Sequence, residues 1–591
     1  MNSLILALTP ILFVLILIVT PLVYLTLSTA LHLGYSLGYL YLKIPPDGEL
    51  YRTYVYRDSL VIALTGYDFG PIANTLILSS IVSTVSVLVA TVTSVTCLSL
   101  SGAPRILLGY VAPLIASIPA PLISAYAIVH LFHRDFGLVN VILGELLGVR
   151  ISLEGIAGVA LYQIINFFPI AHLIVFTYMD SMDRSVVEAA YSLGSRGLSV
   201  VSRIVIPLSK PAILVAFSLT FVLSAEDLSG PIAFSRYNSA RNVLSYQAYY
   251  DFISEYGYTV SVRAVTYVTL LSLIAVLVFI TSWRYLKLYT YPIVSPAKLK
   301  VDLAPYKLPL LLVTILLVAV AVTPTILVLG YSITGGWFGS VTPRSLTPEN
   351  YAMVLQNPYY ARALLNTLAY VALALLITIP VAYTIAYSSV RSKSILSPIV
   401  EVSSVLPIVV PGIAVGIGYF ALFHTFFKEI PPLDPMVNPA PYLVLAYASR
   451  RLTYAARPLV ASIQKIPSSL EEQALNLGAR LLRVIRTIIL PLLLNPTIVG
   501  ASIASIHMAT EFSVSVVLAG GYGVSASHPS PVTPVILNSI TYNSLSMHQM
   551  SALLVTTITL SIAISILLSL TLTWALSGLK FRDLMVLLRG Y

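Results

Sequence analysis

The chain has 591 residues, of which 58% are hydrophobic and only 9% charged, where an ordinary soluble protein carries roughly a quarter charged residues. A mean hydropathy of +0.91 excludes one anchor on a large aqueous domain, and a single cysteine, Cys97, excludes a disulfide framework, a multi-cysteine zinc site or an iron–sulfur cluster held by this chain alone. The net charge of +10 would suggest nucleic acid in a soluble protein; here it reports loop topology, and no nucleic-acid partner is expected.

At about 20 apolar residues per crossing, this length accommodates about 12 transmembrane helices, so the expected fold class is an all-α polytopic membrane protein. The first apolar run, 4–31, is longer than a secretory h-region and has no cleavage pattern behind it, so it is expected to stay in the membrane. Further spans are expected at 72–99, 106–131, 151–178, 209–229 and 264–283, then at 306–331, 363–389, 396–426, 439–462, 494–520 and 550–577. With the N-terminus inside, most Lys and Arg fall in cytoplasmic segments, which places both termini in the cytoplasm. Arg450, Arg451 and Arg457 lie within a span. The outside loops 32–71, 230–262 and 332–362 are rich in tyrosine and carry turn signals such as Pro45-Pro46-Asp47-Gly48 and Gly335-Gly336. Ordered caps are expected there.

Comparing the chain with itself exposes a repeat. Residues 185–208 (SVVEAAYSLGSRGLSVVSRIVIPL) match 469–492 (SLEEQALNLGARLLRVIRTIILPL) without a gap at an offset of 284, with eleven of 24 positions identical. The same offset sets Asp227-Leu228-Ser229 against Glu511-Phe512-Ser513. The chain therefore reads as two homologous six-helix halves, 1–290 and 291–591, divided near the basic stretch Arg284 to Lys307. An even number of spans per half gives parallel copies related by an axis along the membrane normal, with translocation between them.

Each repeated segment reads as helix, turn, helix. Ser185-x-x-Glu188 and Ser469-x-x-Glu472 have capping-box spacing. About two turns later, Gly194 and Gly478 can take the left-handed conformation that ends a helix, and a second amphipathic piece is expected to run to Pro207 and Pro491. Its arginines, Arg196, Arg203, Arg480, Arg483 and Arg486, keep it near water and headgroups. Leu193 and Leu477 leave an apolar face for a partner. Bilayer physics does not require the same glutamate, glycine and proline twice at one spacing, whereas docking onto a symmetric partner does.

The pattern E-A-A, a glycine after three residues and I-x-x-P after nine more resembles the EAA loop of permease subunits in binding-protein-dependent ABC importers. It stands as Glu188-Ala189-Ala190, Gly194, Ile204 and Pro207, and again as Glu472-Gln473-Ala474, Gly478, Ile488 and Pro491, with Gln473 departing from the first alanine. The resemblance extends through Asn74-Thr75 and Asn366-Thr367, which open a span, and through residues 447–479. Tandem fusion is most similar to the ferric-iron permeases, whose fused relatives include thiamine importers. The resemblance implies that each loop seats a short coupling helix in one of two ATP-binding cassette subunits, while an extracytoplasmic solute-binding protein delivers the solute. In this chain Glu188, Ala189, Ala190, Gly194, Pro207, Glu472, Ala474, Gly478 and Pro491 would carry that coupling.

No phosphate-cradling G-x-x-x-x-G-K-[ST] loop is present, so ATP hydrolysis is expected in separate subunits and no cofactor is expected here. Candidates for a substrate path are the intramembrane charges Asp227, Glu511, Arg450 and Arg457, because a charge at bilayer depth tends to face a cavity or a partner. The bland alternatives are an interfacial position for Asp227, a structural role for Glu511, and snorkelling for Arg450 and Arg457, which at a spacing of seven share a helix face. Of the eight histidines, only His130 and His133 could share a helical face, which makes no metal site; His507 is expected to hydrogen-bond within the bundle. Neither a Ser/His/Asp set nor paired carboxylates suggest catalysis. The expected function is an ATP-driven importer permease for ferric iron, thiamine or another small polar solute. The competing classes are a secondary transporter of two six-span halves and a membrane-embedded enzyme acting on lipid-linked substrates.

Overall fold

The computed structural model describes residues 2–577, apart from 119, 256–260, 290–298, 338–339, 341, 393–394 and 521–528. Part of the expected divide between the halves and the C-terminal basic residues Lys580, Arg582 and Arg589 lie outside the described residues. The chain is an all-α polytopic membrane protein. Among the described residues, eight helices are long and apolar enough to cross a bilayer: Leu6–Leu31, Pro71–Leu98, Gly155–Asp180, Leu198–Glu226, Val262–Ser282, Lys307–Ser332, Pro358–Arg391 and Met547–Ser577. Three bent pairs bring the number to as many as 11: Ala103–Ala116 with Pro121–Leu131, Ser397–Val409 with Gly412–Phe427, and Leu481–Leu492 with Leu494–Ala509. The remaining expected span, 439–462, is present as two helices, Ala440–Arg450 and Leu452–Ile463, interrupted at Arg451. Its three arginines set it apart from the other spans.

Packing divides the chain differently from the sequence repeat. One compact unit joins Met1–Leu31 to Tyr351–Tyr591; the other holds His32–Ser254 and Ser261–Asn350. The first span of each expected half thus lies in the unit that holds the rest of the other half. In the 351–591 unit, Asn2–Val14 packs along Pro358–Arg391 and Thr20–Leu31 against Gly412–Phe427. In the 32–350 unit, Lys307–Ser332 packs on Ala112–Ala116 and Pro71–Leu98, where Ala116, Phe168 and Ala321 are buried together. Polar contacts tie each first span to the bundle that receives it: Tyr24 Oη lies 3.0 Å from Thr425 Oγ1, and Thr325 Oγ1 donates to the Ile115 carbonyl at 3.1 Å.

Interior contacts within each unit rest on small and hydroxylic residues, as expected where lipid supplies no hydrophobic drive between helices. On Met547–Ser577, the residues Thr557, Ser561, Ser565, Ser569, Thr573 and Ser577 recur every fourth position and are all buried. They face Leu494–Ala509 and Pro358–Arg391; Ser565 meets Ser502 at 3.0 Å, and Tyr383 bridges Thr497 (2.7 Å) and Thr573 (3.2 Å). In the other unit, Pro71–Leu98 turns Thr75, Ser79, Ser83, Ser86 and Thr93 inward, and Thr93 meets His172 at 2.7 Å.

Among the described residues, four helices contain a five-residue π-turn, at Leu15–Val19, Leu107–Val111, Val201–Val205 and Ile485–Ile489. Each is followed two positions later by a proline: Pro21, Pro113, Pro207 and Pro491. A proline ring collides with the carbonyl four residues back and offers no N–H. The turn before it widens, and the preceding residue bonds five back instead, as Ile206 does to Val201 and Leu490 to Ile485. Pro21 and Pro207 therefore do not end their helices, whereas the helix that holds Pro491 stops one residue later, at Leu492. Pro207 lies inside a span that starts at Leu198, not at 209, and the second copy bends by 70° just after Pro491.

The tyrosine-rich loop 32–71 is an ordered cap, as its turn signals suggest. Strands Tyr51–Tyr56 and Ser59–Leu64 form a hairpin, and Val149–Leu153 adds in parallel to the second strand. Lys43 holds Asp47 at 2.7 Å and Asp68 at 2.5 Å, and Asn74 and Asn242 both donate to Asp68 at 2.8 Å. The 26-residue helix Gly155–Asp180, about 39 Å long at 1.5 Å per residue, starts in this cap and ends beside the first repeated segment. The two therefore lie at opposite ends of the unit.

Candidate coupling segments and buried charges

The repeated segments fold as two nine-residue helices, Arg184–Ser192 and Ser468–Asn476. Neither opens with the expected capping box. In the first copy Asp183 is the cap and accepts from the Ser185 amide at 2.9 Å, while Glu188 reaches back to Arg184 at 2.6 Å. A short carboxylate two residues upstream takes the Ser185 amide, to which Glu188 was expected to reach back. In the second copy the helix starts after Pro467 without a side-chain cap. Glu188 and Glu472 are both exposed.

The turn is as the glycines suggest. Gly194 and Gly478 both have φ of +86°. Gly194 N–H donates to Tyr191 O and Ser195 N–H to Ala190 O, both at 3.0 Å; Gly478 and Ala479 repeat this on Leu475 (2.9 Å) and Ala474 (3.0 Å). These paired bonds are the Schellman closure, which satisfies carbonyls that a helix end leaves open. Immediately before each glycine, Leu193 and Leu477 are 88% and 89% exposed. A leucine left almost wholly in water at the tip of a closed turn, in both copies, forms no part of its own unit's core.

Different chemistry roots the two helices. Val187 and Ala190 are buried in an apolar cluster with Val95 and Met179. At the position matching Val187, the second copy has Glu471, whose carboxylate accepts from Arg391 at 2.6 Å and Tyr387 at 3.0 Å. Buried Arg105 pairs with Asp180 at the foot of the first segment, and Tyr110 donates to the same carboxylate at 2.8 Å. Sequence reading missed Glu471; its signal was a lone acidic residue next to the repeated glutamate.

The structure gives the intramembrane carboxylates fixed partners. Asp227 ends the helix Ile206–Glu226 and is buried; it accepts from Gln163 Nε2 and from the amides of Ser229 and Gly230, each at 3.0 Å. It therefore starts the short helix Ser229–Ala233. Glu511 stands at the matching break between Leu494–Ala509 and Ser513–Ala519. Arg450 Nη1 binds it at 2.8 Å and Arg451 also pairs with it. Arg450 also donates to the Val410 carbonyl at 3.3 Å, where Ser397–Val409 bends by 97° into Gly412–Phe427. At Gly412 a Cβ would lie 2.5 Å from Arg450 Nη1, so a larger residue there would have to displace the guanidinium. Three chain breaks thus meet on one arginine.

Three further expectations are corrected here. Arg450 and Arg457 do not lie on one continuous helix, because it is interrupted at Arg451; Arg457 makes no hydrogen bond or ion pair among the described residues. His507 stacks on Tyr454 with ring centroids 4.3 Å apart. His133 lies beyond the helix that carries His130 and stacks on Phe136 at 3.7 Å. Among the described residues, no three His, Cys, Asp or Glu side chains are grouped to hold a metal.

Residues 378–577 match the family model described as the binding-protein-dependent transport system inner membrane component. That region contains the second coupling segment and the Arg450–Glu511 pair. The chain resembles the permease of a binding-protein-dependent ABC importer. The ferric transport system permease protein FbpB of Actinobacillus pleuropneumoniae is 25% identical over 418 residues, covering 66% of this chain and 58% of that protein. A putative ferric transport system permease protein, FbpB 1 of Haemophilus influenzae, is 26% identical over 361 residues, covering 60% and 55%. The spermidine/putrescine transport system permease protein PotB of Haemophilus influenzae is 25% identical over 184 residues, covering 30% and 64%. The aligned part of the chain thus spans a little over half the length of the two ferric permeases. The matched residues 378–577 include the second Schellman turn, and the first turn matches it by the internal offset of 284.

Proposed function

We propose that this chain is the membrane subunit of an ATP-driven importer, forming the path for a solute delivered by an extracytoplasmic binding protein. The observation that carries the proposal is the duplicated turn: two Schellman-closed helices, each presenting an exposed leucine, Leu193 or Leu477, beside an exposed glutamate. An apolar knob ringed by charge suits a groove on a soluble protein. Duplication suits two copies of that protein. On this reading two ATP-binding cassette subunits seat 185–208 and 469–492 on the cytoplasmic side, both termini lie on that side, and the repeat divides the chain near residue 290. Ferric iron is the solute favoured by the names of the two ferric relatives; thiamine or another small polar solute belongs to the same importer class. Asp227, Glu511 and Arg450 serve in this reading to hold span breaks, because their charges are already met by neighbours.

Cys97 is buried, so a cysteine placed at either tip can be probed alone. Leu193→Cys and Leu477→Cys are expected to react with a maleimide in the free permease and to be protected when a nucleotide-binding subunit is co-expressed. Uptake of ferric iron should stop on ATP depletion. Unprotected tips, or uptake that survives ATP depletion and collapses with the ion gradient, overturns the proposal in favour of a secondary transporter.

A further inference from the structure

The cap at the far end of the 32–350 unit contains a cavity of about 320 Å³ whose chemistry the transport reading does not use. Arg52 of the hairpin, Arg134 beyond the helix Pro121–Leu131, and Arg236 beyond Ser229–Ala233 converge on it, with His133, Tyr237 and Glu154 completing its polar lining. Phe132 and Phe234 supply apolar wall. Three guanidinium groups face one carboxylate. That carboxylate is already engaged, because Arg52 holds Glu154 at 2.5 Å and Tyr237 donates to it as well. Arg134 lies 3.6 Å from Asp135, which Arg57 also approaches at 3.7 Å. Arg236 is exposed at the cavity and makes no hydrogen bond or ion pair among the described residues, which leaves its guanidinium open to a ligand.

The surroundings sharpen the sign. A neighbouring cavity of about 300 Å³ shares Arg52, Glu154 and Tyr237 but is lined by Asp47, Glu49 and Asp68 against Lys43. The polarity therefore reverses across the Arg52–Glu154 pair, and only the first cavity is cationic. Burial, joined by the positive charges of Arg134 and Arg236, holds the His133 imidazole below its ordinary range although Asp135 opposes this.

We propose that this cavity is a binding site for a small oxyanion with at least two negative charges, of the polycarboxylate or phosphate class. Arg134 and Arg236 supply the forked N–H donors that planar carboxylates and phosphates accept, and Arg52 stays tied to Glu154 as the wall. A single negative charge leaves one guanidinium unmet, so a monovalent anion binds less well. The site is independent of how transport is driven.

The test is calorimetric titration of citrate into the full-length protein in nanodiscs, with acetate at matched ionic strength as the control. Citrate is expected to bind saturably, more weakly as sodium chloride rises, and acetate to show no saturable binding. Arg236→Gln, which removes a group making no bond in the fold, and Arg134→Gln should each weaken citrate by about tenfold or more, the effect of one lost charge-assisted contact. Arg344→Gln, an exposed loop arginine outside the cavity, should leave it unchanged. Absent citrate saturation, equal binding of acetate, or an Arg236→Gln protein that binds as the parent does, overturns the proposal.

Discussion

Gly194 and Gly478 provide a quantitative test because the structure separates backbone conformation from space. Both have φ of +86°, and a Cβ built on either meets no atom within 4 Å. Substitution therefore incurs only the left-handed penalty, about 1–2 kcal/mol for an ordinary L-residue, and no clash within the chain. Asparagine enters that region more readily than alanine, although it is larger. The expected order of function at each site is Gly, then Asn, then Ala, then Val. An alanine should weaken the closed turn by a factor of roughly 5 to 30, read as the affinity of the permease for its ATP-binding subunit in a pull-down titration, with insertion and melting temperature nearly unchanged. The double alanine variant should lose most coupled ATPase activity. If the order follows side-chain volume instead, with Ala better than Asn, the backbone argument is refuted and steric exclusion by the partner takes its place.

Removing one member of the Arg391–Glu471 pair should destabilise the 351–591 unit by about 3 kcal/mol, because the other charge is left buried; Arg391→Val with Glu471→Val should recover most of that in a thermal double-mutant cycle, imitating the apolar root at Val187. Arg450→Leu should lower the melting temperature more than Arg457→Leu, because only Arg450 joins Glu511 to the Val410 break; equal shifts would count against the three-break junction. Asp68 gives a pH signature: burial alone would raise its carboxyl, but Lys43, the Gly70 amide, Asn242 and Asn74 together hold it below the ordinary range. A depressed carboxyl contributes stability above its unfolded value near 3.8 that is lost as pH falls through the folded value. Asp68→Asn should therefore lower the melting temperature at neutral pH and converge with the parent in acid; a constant difference across that range argues against the linkage.

What was legible in the sequence followed local rules. The spans showed as apolar runs, and Gly194 and Gly478 marked left-handed turns because glycine is the residue that adopts them without strain. The cap was signalled by Pro45-Pro46-Asp47-Gly48. What sequence reading missed depended on partners distant in the chain. Ser185 has capping-box spacing, yet Asp183 takes the Ser185 amide that Glu188 was expected to bind, and Glu188 pairs with Arg184 instead. Pro207 reads as a helix stop, but a π-turn absorbs the missing hydrogen bond, an option that one-dimensional patterning does not display. The exchange of first spans between packing units is equally silent, because the few polar residues of Leu6–Leu31 and Lys307–Ser332, Tyr24 and Thr325 among them, carry no mark of which bundle receives them. Gln163 gave no signal until Asp227 lay 3.0 Å away.

The two copies agree at the turn and diverge inside, and the divergence follows from what each region meets. Asp227 and Glu511 occupy one repeat position and both start a short helix after a broken span, yet one is met by a neutral amide and two backbone N–H groups, the other by two arginines. At the offset of 284, Asn166 and Phe167 stand where the second copy has Arg450 and Arg451. A buried carboxylate needs compensation, but donors and cations both supply it, so either solution keeps the break. Nothing inside the membrane forces the two copies to choose alike. The tips are different: Leu193 with Gly194 and Leu477 with Gly478 keep the same conformation and the same exposure although nothing within either unit requires it. Two identical partners impose equivalence on the surfaces they grip, whereas one solute passing along one path imposes none, and this division between a conserved handle and a diverged interior is the pattern that the proposed importer role requires.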